Sequence, residues 1–190
     1  AQTALATAKP SFANHPLFAE EFRVAGFADY AVASCYNGLP SGGGSMTLVR
    51  LNLAKLAETA QDRADPIERA LPEAVQAMLE LMDERVAFLV TRSGFFESSF
   101  LVREGLIAYD RFTAMFGLVG LAECVNRHHA GSDPARRFGH DAAADAFGLD
   151  IIKAIDRLVR AHRNTRLAAF DGRYQLHAQV GIDSDKGVSP

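Results

Sequence analysis

The stretch Val32-Ala-Ser-Cys-Tyr-Asn-Gly-Leu-Pro-Ser-Gly-Gly-Gly-Ser-Met46, running on into Thr47-Leu-Val-Arg-Leu-Asn-Leu53, sets the reading of the chain. Cys35, one of two cysteines, stands between a short apolar run and a glycine-rich loop. Pro40 and the consecutive glycines 42–44 forbid a helix there. Met46 and Leu48 alternate with Thr47 and Val49, and the apolar pattern continues at Leu51 and Leu53. That predicts a strand passing into a short helix at Leu53–Thr59. Upstream, Asp29 to Cys35 reads as a short buried strand. A cysteine at the junction of a strand and a polar turn is placed for display.

Working outward, residues 1–14 are rich in Ala and Thr and form a flexible lead-in, with the folded unit at 15–190. His15 to Phe27 predicts a short helix or an extended segment. Asp65 is a good N-cap with Pro66 at the first helical position. Apolar residues then recur at Ile67, Leu71, Val75, Met78, Leu79, Met82, Val86, Leu89 and Val90, a helix to about Thr91. Pro72 falls inside it, which implies either a later helix start or a kink. Ser93-Gly94 breaks the helix, and Phe95-Phe96 are core aromatics. The apolar run Tyr109–Gly120 contains Gly117 and Gly120, which imply close backbone approach. A helix follows from Leu121 to His129. His140-Asp141 caps another, with apolar residues at helical spacing from Ala144 to Val159. Arg163 to Gly172 is turn-like, Tyr174–Val180 alternates as a strand, and Asp183–Gly187 carries loop chemistry. The order of strands and helices predicts an α/β fold, helix-rich, with parallel crossovers.

Bulk properties narrow the class. At 190 residues, 48% of them hydrophobic, the chain can bury a core as a single domain. A net charge of -3 excludes a general attraction to nucleic acid or anionic membranes. No apolar stretch is long enough to span a bilayer. The N-terminus lacks the basic and apolar regions of a secretory signal. Two distant cysteines need no disulfide framework, and a reducing cytoplasm is the expected compartment. The chain starts without Met and stops just past a strand and turn, so it reads as a piece of a longer protein.

Cys35 supports two chemistries. A two-electron nucleophile needs a base, and His177 is the only histidine on an expected core element. A one-electron thiol–thiyl carrier needs seclusion from water and a second radical. The glycines 42–44 lack the Gly-Lys-Ser/Thr ending of a phosphate loop; the plainer reading is a backbone passing close to a neighbour. His128-His129 diverge on a helix and do not converge on a metal. Cys124 reads as packing. Glu123 is a carboxylate entering an apolar segment, which calls for a partner or a role.

Ser34-Cys-Tyr-Asn-Gly-Leu-Pro40, the Gly42–Leu53 run, Phe95–Leu106, Phe112–Asn126 and Leu176–Asp185 together resemble the glycyl radical enzymes. The likeness is nearest to the YjjI-type family, distantly related to anaerobic ribonucleotide reductases. The resemblance implies part of a ten-stranded α/β barrel surrounding a finger loop whose tip holds the catalytic cysteine. It places Cys35 there, with Ser34, Asn37, Glu123 and His177 as substrate-binding candidates and no metal ligands. Met46–Leu53, Met115–Gly120 and Tyr174–Val180 would be barrel strands. In the implied chemistry a glycyl radical takes hydrogen from the cysteine, and the thiyl radical takes hydrogen from a small-molecule substrate. No cofactor is bound. The radical is installed by a partner activase that uses S-adenosylmethionine and an iron–sulfur cluster. The Arg-Val-x-Gly-Tyr radical motif does not occur in these residues, so the chain carries the thiol half of a two-part relay and is expected to be inactive alone. An incomplete barrel leaves apolar surface open, implying a homo-oligomer. The rival expectations are a non-catalytic remnant of that fold, and a cysteine-nucleophile hydrolase or transferase with His177 as base.

Overall fold

The computed structural model describes residues 13–32, 37–60 and 66–178. The first of these segments opens with helix α1 (His15–Val24), whose N-cap Asn14 accepts from Leu17 N at 3.2 Å. The strands β1 (Tyr30–Val32) and β2 (Gly38–Pro40) pair antiparallel, Val32 opposite Gly38, as a short ribbon. β3 (Gly44–Asn52) leads without a loop into α2 (Leu53–Thr59). Asn52 makes that switch: it ends the strand, and its side chain accepts from Lys55 N at 3.0 Å as the helix cap. The strand-to-helix transition falls where the sequence pattern places it.

The long α3 (Pro66–Thr91) continues as one helix through Pro72. Its inward stripe Leu71, Val75, Leu79, Met82 and Val86 is at most 3% exposed. Each such side chain contributes about 1.5–3 kcal/mol by burial, which outweighs the lost hydrogen bond at one proline. Two single-turn helices, α4 (Phe95–Ser98) and α5 (Phe100–Arg103), follow, with Phe95 and Phe96 packed edge-on to Phe112. β4 (Phe112–Val119) is the central strand, and α6 (Leu121–His129) leaves it at Gly120. Gly120 has φ +80°, and a Cβ there would lie 2.8 Å from Ala54 N. α7 (Ala142–Ala161) is capped by Asp141, which accepts from Ala144 N at 3.1 Å. A 3-10 turn (Ala169–Gly172) then delivers β5 (Gln175–Ala178).

β3, β4 and β5 form a parallel sheet in that order. The fold is therefore mixed α/β, as the sequence implies. Among the described residues the sheets have three and two strands. Two sequence expectations are corrected. β1 is not buried: Ala31 and Val32 are exposed, because the ribbon pairs only with β2. In β3 a register shift between Ser45 and Leu48 interrupts strict alternation. Met46 thereby joins Val49 and Leu51 against the helices, while Leu48 turns to the opposite face beside Gly117.

That shift separates two sheet faces. Leu51, Ala114, Phe116 and Leu118 pack with the stripe of α3 and with Ile151, Ile155 and Val159 of α7 into the main core. The other face carries Arg50, Met115, Gly117, Gln175 and His177 by register. No helix among the described residues is long and apolar enough to cross a membrane.

Candidate functional site

The second face of the sheet is built around an absence. Arg50, Gly117 and His177 are register partners across β3, β4 and β5. A Cβ at Gly117 would lie 2.9 Å from Arg50 Cγ and 2.9 Å from Val49 O, so only glycine leaves room for that row. His177 is 8% exposed, and its Nε2 is buried without a hydrogen-bond partner among the described residues. Burial first, and the Arg50 charge second, hold its ring below the usual histidine range, so the imidazole is neutral at pH 7.

The β1–β2 ribbon is held against this face by aromatic packing. Tyr30 stacks on Phe22 at 4.9 Å between centroids and on Phe18 at 5.8 Å. Phe22 meets Phe170 edge-on at 5.2 Å, and Phe27 lies 5.6 Å from the same ring. Gly38 passes directly beneath these rings; a Cβ there would sit 2.7 Å from Phe22 Cε2. The close approach seats Asn37, the preceding residue, at the sheet. Its Oδ1 is also buried without a partner. At the other end of the loop, a Cβ at Gly43 would overlap the Arg111 carbonyl, and Arg111 Nη1 donates to Ser41 O at 2.7 Å. The glycine run is thus a close-passage device, as its sequence suggests.

Asn37 and His177 line one cavity of about 190 Å3, walled by Phe18, Phe22, Met115 and Phe170 and edged by Glu21. Buried polar atoms are normally satisfied by protein or water. Two orphaned atoms in the same apolar-walled space are a ready-made pair of ligand contacts. Phe170 reaches the cavity from an unusual backbone. It and Asp171 both have positive φ, 54° and 56°, a conformation that costs a bulky residue about 1–3 kcal/mol. Strain of this kind persists where the surroundings over-determine it, and here aromatic packing on α1 does so.

The structure unites two of the sequence candidates, Asn37 and His177. Ser34 and Cys35 lie in the link between β1 and β2, residues 33–36, outside the described residues, as do the Asp65 cap, Val180 and the 183–187 loop. The expectation that Glu123 enters the core is corrected. It is exposed in the first turn of α6 and lines neither this cavity nor its neighbour. α6 turns this position outward, whereas Cys124 and Val125, the next two, point in. There the carboxylate favours the helix N-terminus and needs no partner. Cys124 is 1% exposed, with its thiol pushed up to about 11 by burial, as packing requires. The rings of His128 and His129 lie against Phe147, 5.7 and 5.0 Å away.

Sequence reasoning missed Met115 and Phe170 as cavity walls. It also missed the polar cluster that anchors β5. Tyr174 Oη donates to Asp83 Oδ1 at 2.6 Å, Asn164 Nδ2 donates to the same oxygen at 2.9 Å, and His162 Nε2 lies 3.0 Å from the carboxylate. The one available signal was Phe170-Asp171-Gly172, an aromatic followed by turn residues.

A family profile described as "Glycyl radical enzyme YjjI-like" matches residues 1–190. The chain is 43% identical to the "Uncharacterized protein YjjI" of Escherichia coli (strain K12), over 96% of this chain and 34% of that protein. It is 36% identical to an "Uncharacterized protein" of Haemophilus influenzae, over 100% of this chain and 37% of that protein. The chain thus spans about a third of the length of the curated relatives it matches.

Proposed function

The chain belongs to the YjjI-like family of glycyl radical enzymes, and from that premise we propose that it supplies the thiol half of a radical active site, with Cys35 as the hydrogen-atom carrier. The observation that carries this reading is the seating of the β1–β2 ribbon on the open sheet face. The link holding Cys35 ends at Asn37, and Asn37 lines a cavity with His177. A ribbon seated on the inner face of a parallel sheet is what a finger loop inside an α/β barrel would require, and the three parallel strands would be part of that barrel.

In the proposed step, a hydrogen atom passes from Cys35 Sγ to the glycyl Cα radical. The S–H bond breaks, a C–H bond forms, and the unpaired electron moves to sulfur. The thiyl then takes a hydrogen atom from a substrate carbon; S–H re-forms and the substrate carbon holds the radical. The glycyl residue lies outside these residues, and an activase using S-adenosylmethionine and an iron–sulfur cluster generates its radical. Asn37 and His177 contribute contacts to the substrate. The rings of Phe18, Phe22 and Phe170 give the cavity an apolar side, and the rest of the barrel would complete the seclusion from water that such chemistry needs.

The test is anaerobic activation of the full-length protein in heavy water, followed by electron paramagnetic resonance. One hydrogen on the glycyl Cα gives a doublet. Reversible transfer through an exchangeable S–D bond replaces that hydrogen and collapses the doublet. The wild type should collapse, and Cys35→Ala should hold its doublet. Collapse in both proteins overturns the role of Cys35. Absence of any radical signal overturns the radical reading altogether.

A further inference from the structure

We infer that the cavity shared by Asn37 and His177 takes a small uncharged molecule carrying hydroxyl groups, and not a phosphorylated or carboxylate-bearing one. The inference rests on the reading that this cavity is the substrate site. It narrows the small-molecule substrate that the sequence leaves open.

Three observations carry it. The first is the pair of orphaned atoms. Asn37 Oδ1 is a buried acceptor with no donor, and His177, more than nine-tenths buried, leaves Nε2 unpartnered in the same cavity. A hydroxyl both donates and accepts, so it satisfies the amide oxygen and either tautomer of the imidazole. A carboxylate or phosphate only accepts, and would leave Asn37 Oδ1 unpaired against its own negative charge.

The second is charge. Among the described residues Glu21 is the charged one lining this cavity, and no lysine or arginine lines it. Arg50 lies in the same sheet row as His177 but is not among the lining residues. An anion entering here would meet the Glu21 carboxylate at the rim, and among the described lining residues it would find no cation in contact, the Arg50 charge acting only from behind His177; buried charge without a close partner is strongly disfavoured. The third is size and lining. At about 190 Å3 the space walled by these residues has room for a molecule of a few carbons. Phe18, Phe22, Met115 and Phe170 supply the surface against which its carbons pack.

The experiment uses the full-length protein without radical activation, so that binding is read apart from chemistry. Glycerol, glycerol 3-phosphate and lactate are titrated by calorimetry, and the 15N resonances of the His177 imidazole are followed with glycerol. Glycerol should bind and shift those resonances, and the two anions should bind at least tenfold more weakly. Asn37→Leu and His177→Phe should each weaken glycerol by about tenfold, while Glu123→Gln leaves it unchanged. The inference is overturned if glycerol does not bind, if either anion binds as well as glycerol, or if the folded variants bind glycerol as the wild type does. Should a variant fail to fold, the wild-type imidazole resonances still decide, and no shift on saturation overturns the inference. Intact glycerol binding with no deuterium exchange at the glycyl radical would overturn the proposed function alone. Intact exchange with anion-preferring binding would overturn only this inference.

Discussion

Arg50 and His177 sit in one row of the parallel sheet with nothing but the backbone of Gly117 between them. The row puts a permanent positive charge near an imidazole that is already buried. Both effects disfavour the protonated ring, burial the more strongly, so His177 titrates below its ordinary value of 6.5.

The pH dependence follows from that direction. In the unfolded chain the ring takes up a proton near pH 6.5, whereas in the folded protein it does so only at lower pH. Between those values the unfolded state binds more protons, so stability is fully present above about 6.5 and falls as pH drops below it. Denaturant melts across this range should show the loss, and His177→Gln should remove its share of it. His128, also held down by burial, accounts for a separate share. An unchanged pH profile in His177→Gln would mean that the ring is not buried as described.

Gly117→Ala tests the row itself. The added methyl would meet Val49 O at 2.9 Å, and backbone in a sheet cannot step aside. The substitution should cost about 1–3 kcal/mol, the range for overpacking. A chemical melt showing no loss would mean that β3 and β4 sit farther apart than the register implies.

Asp83 on α3 and Tyr174 at the start of β5 form the tie that holds His177 in place. Tyr174 is 3% exposed, and burial together with the Asp83 carboxylate keeps its phenol protonated well above the usual range. Tyr174→Phe removes the donor to Asp83 while Asn164 keeps its own bond to that oxygen. The expected loss is about 0.5–1.5 kcal/mol. Asp83→Ala removes the acceptor for both and should cost more. In a double-mutant cycle the two should be non-additive; strict additivity would show that the hydrogen bond contributes nothing.

Much of this architecture was legible in the sequence because it depends on local chemistry. Asn52 switches strand to helix, Gly120 permits the turn into α6, and the α3 stripe follows a period that Pro72 does not disturb. Asn37 and His177 were identifiable singly, one by its neighbourhood to Cys35 and the other as a histidine on a core strand. Their meeting was not legible, since it depends on the register of β5 against β4, which no local pattern encodes. Glu123 misled for a related reason: apolar neighbours suggested burial, but the helix phase set by Gly120 turns that position outward. The bulge before Leu48 hid in the same way, because an apolar alternation reads identically with or without the extra residue.

The two cysteines should behave as chemically different groups, and Cys124 is the one whose behaviour the structure fixes. It is 1% exposed, and its thiol, pushed up to about 11 by burial, holds almost no thiolate at neutral pH. Alkylation requires both the thiolate and access. Iodoacetamide at pH 8 should therefore leave Cys124 unmodified in the native protein and modify it fully in denaturant, as read by peptide mass spectrometry. Cys124→Ala should cost about 1 kcal/mol, on the scale of a small buried truncation, and leave the doublet collapse of the activated protein intact. Native labelling of Cys124 at the unfolded rate would show that α6 opens readily from the sheet. Loss of the collapse in folded Cys124→Ala would place this second thiol on the hydrogen-atom path, and the assignment of that path to Cys35 alone would fall.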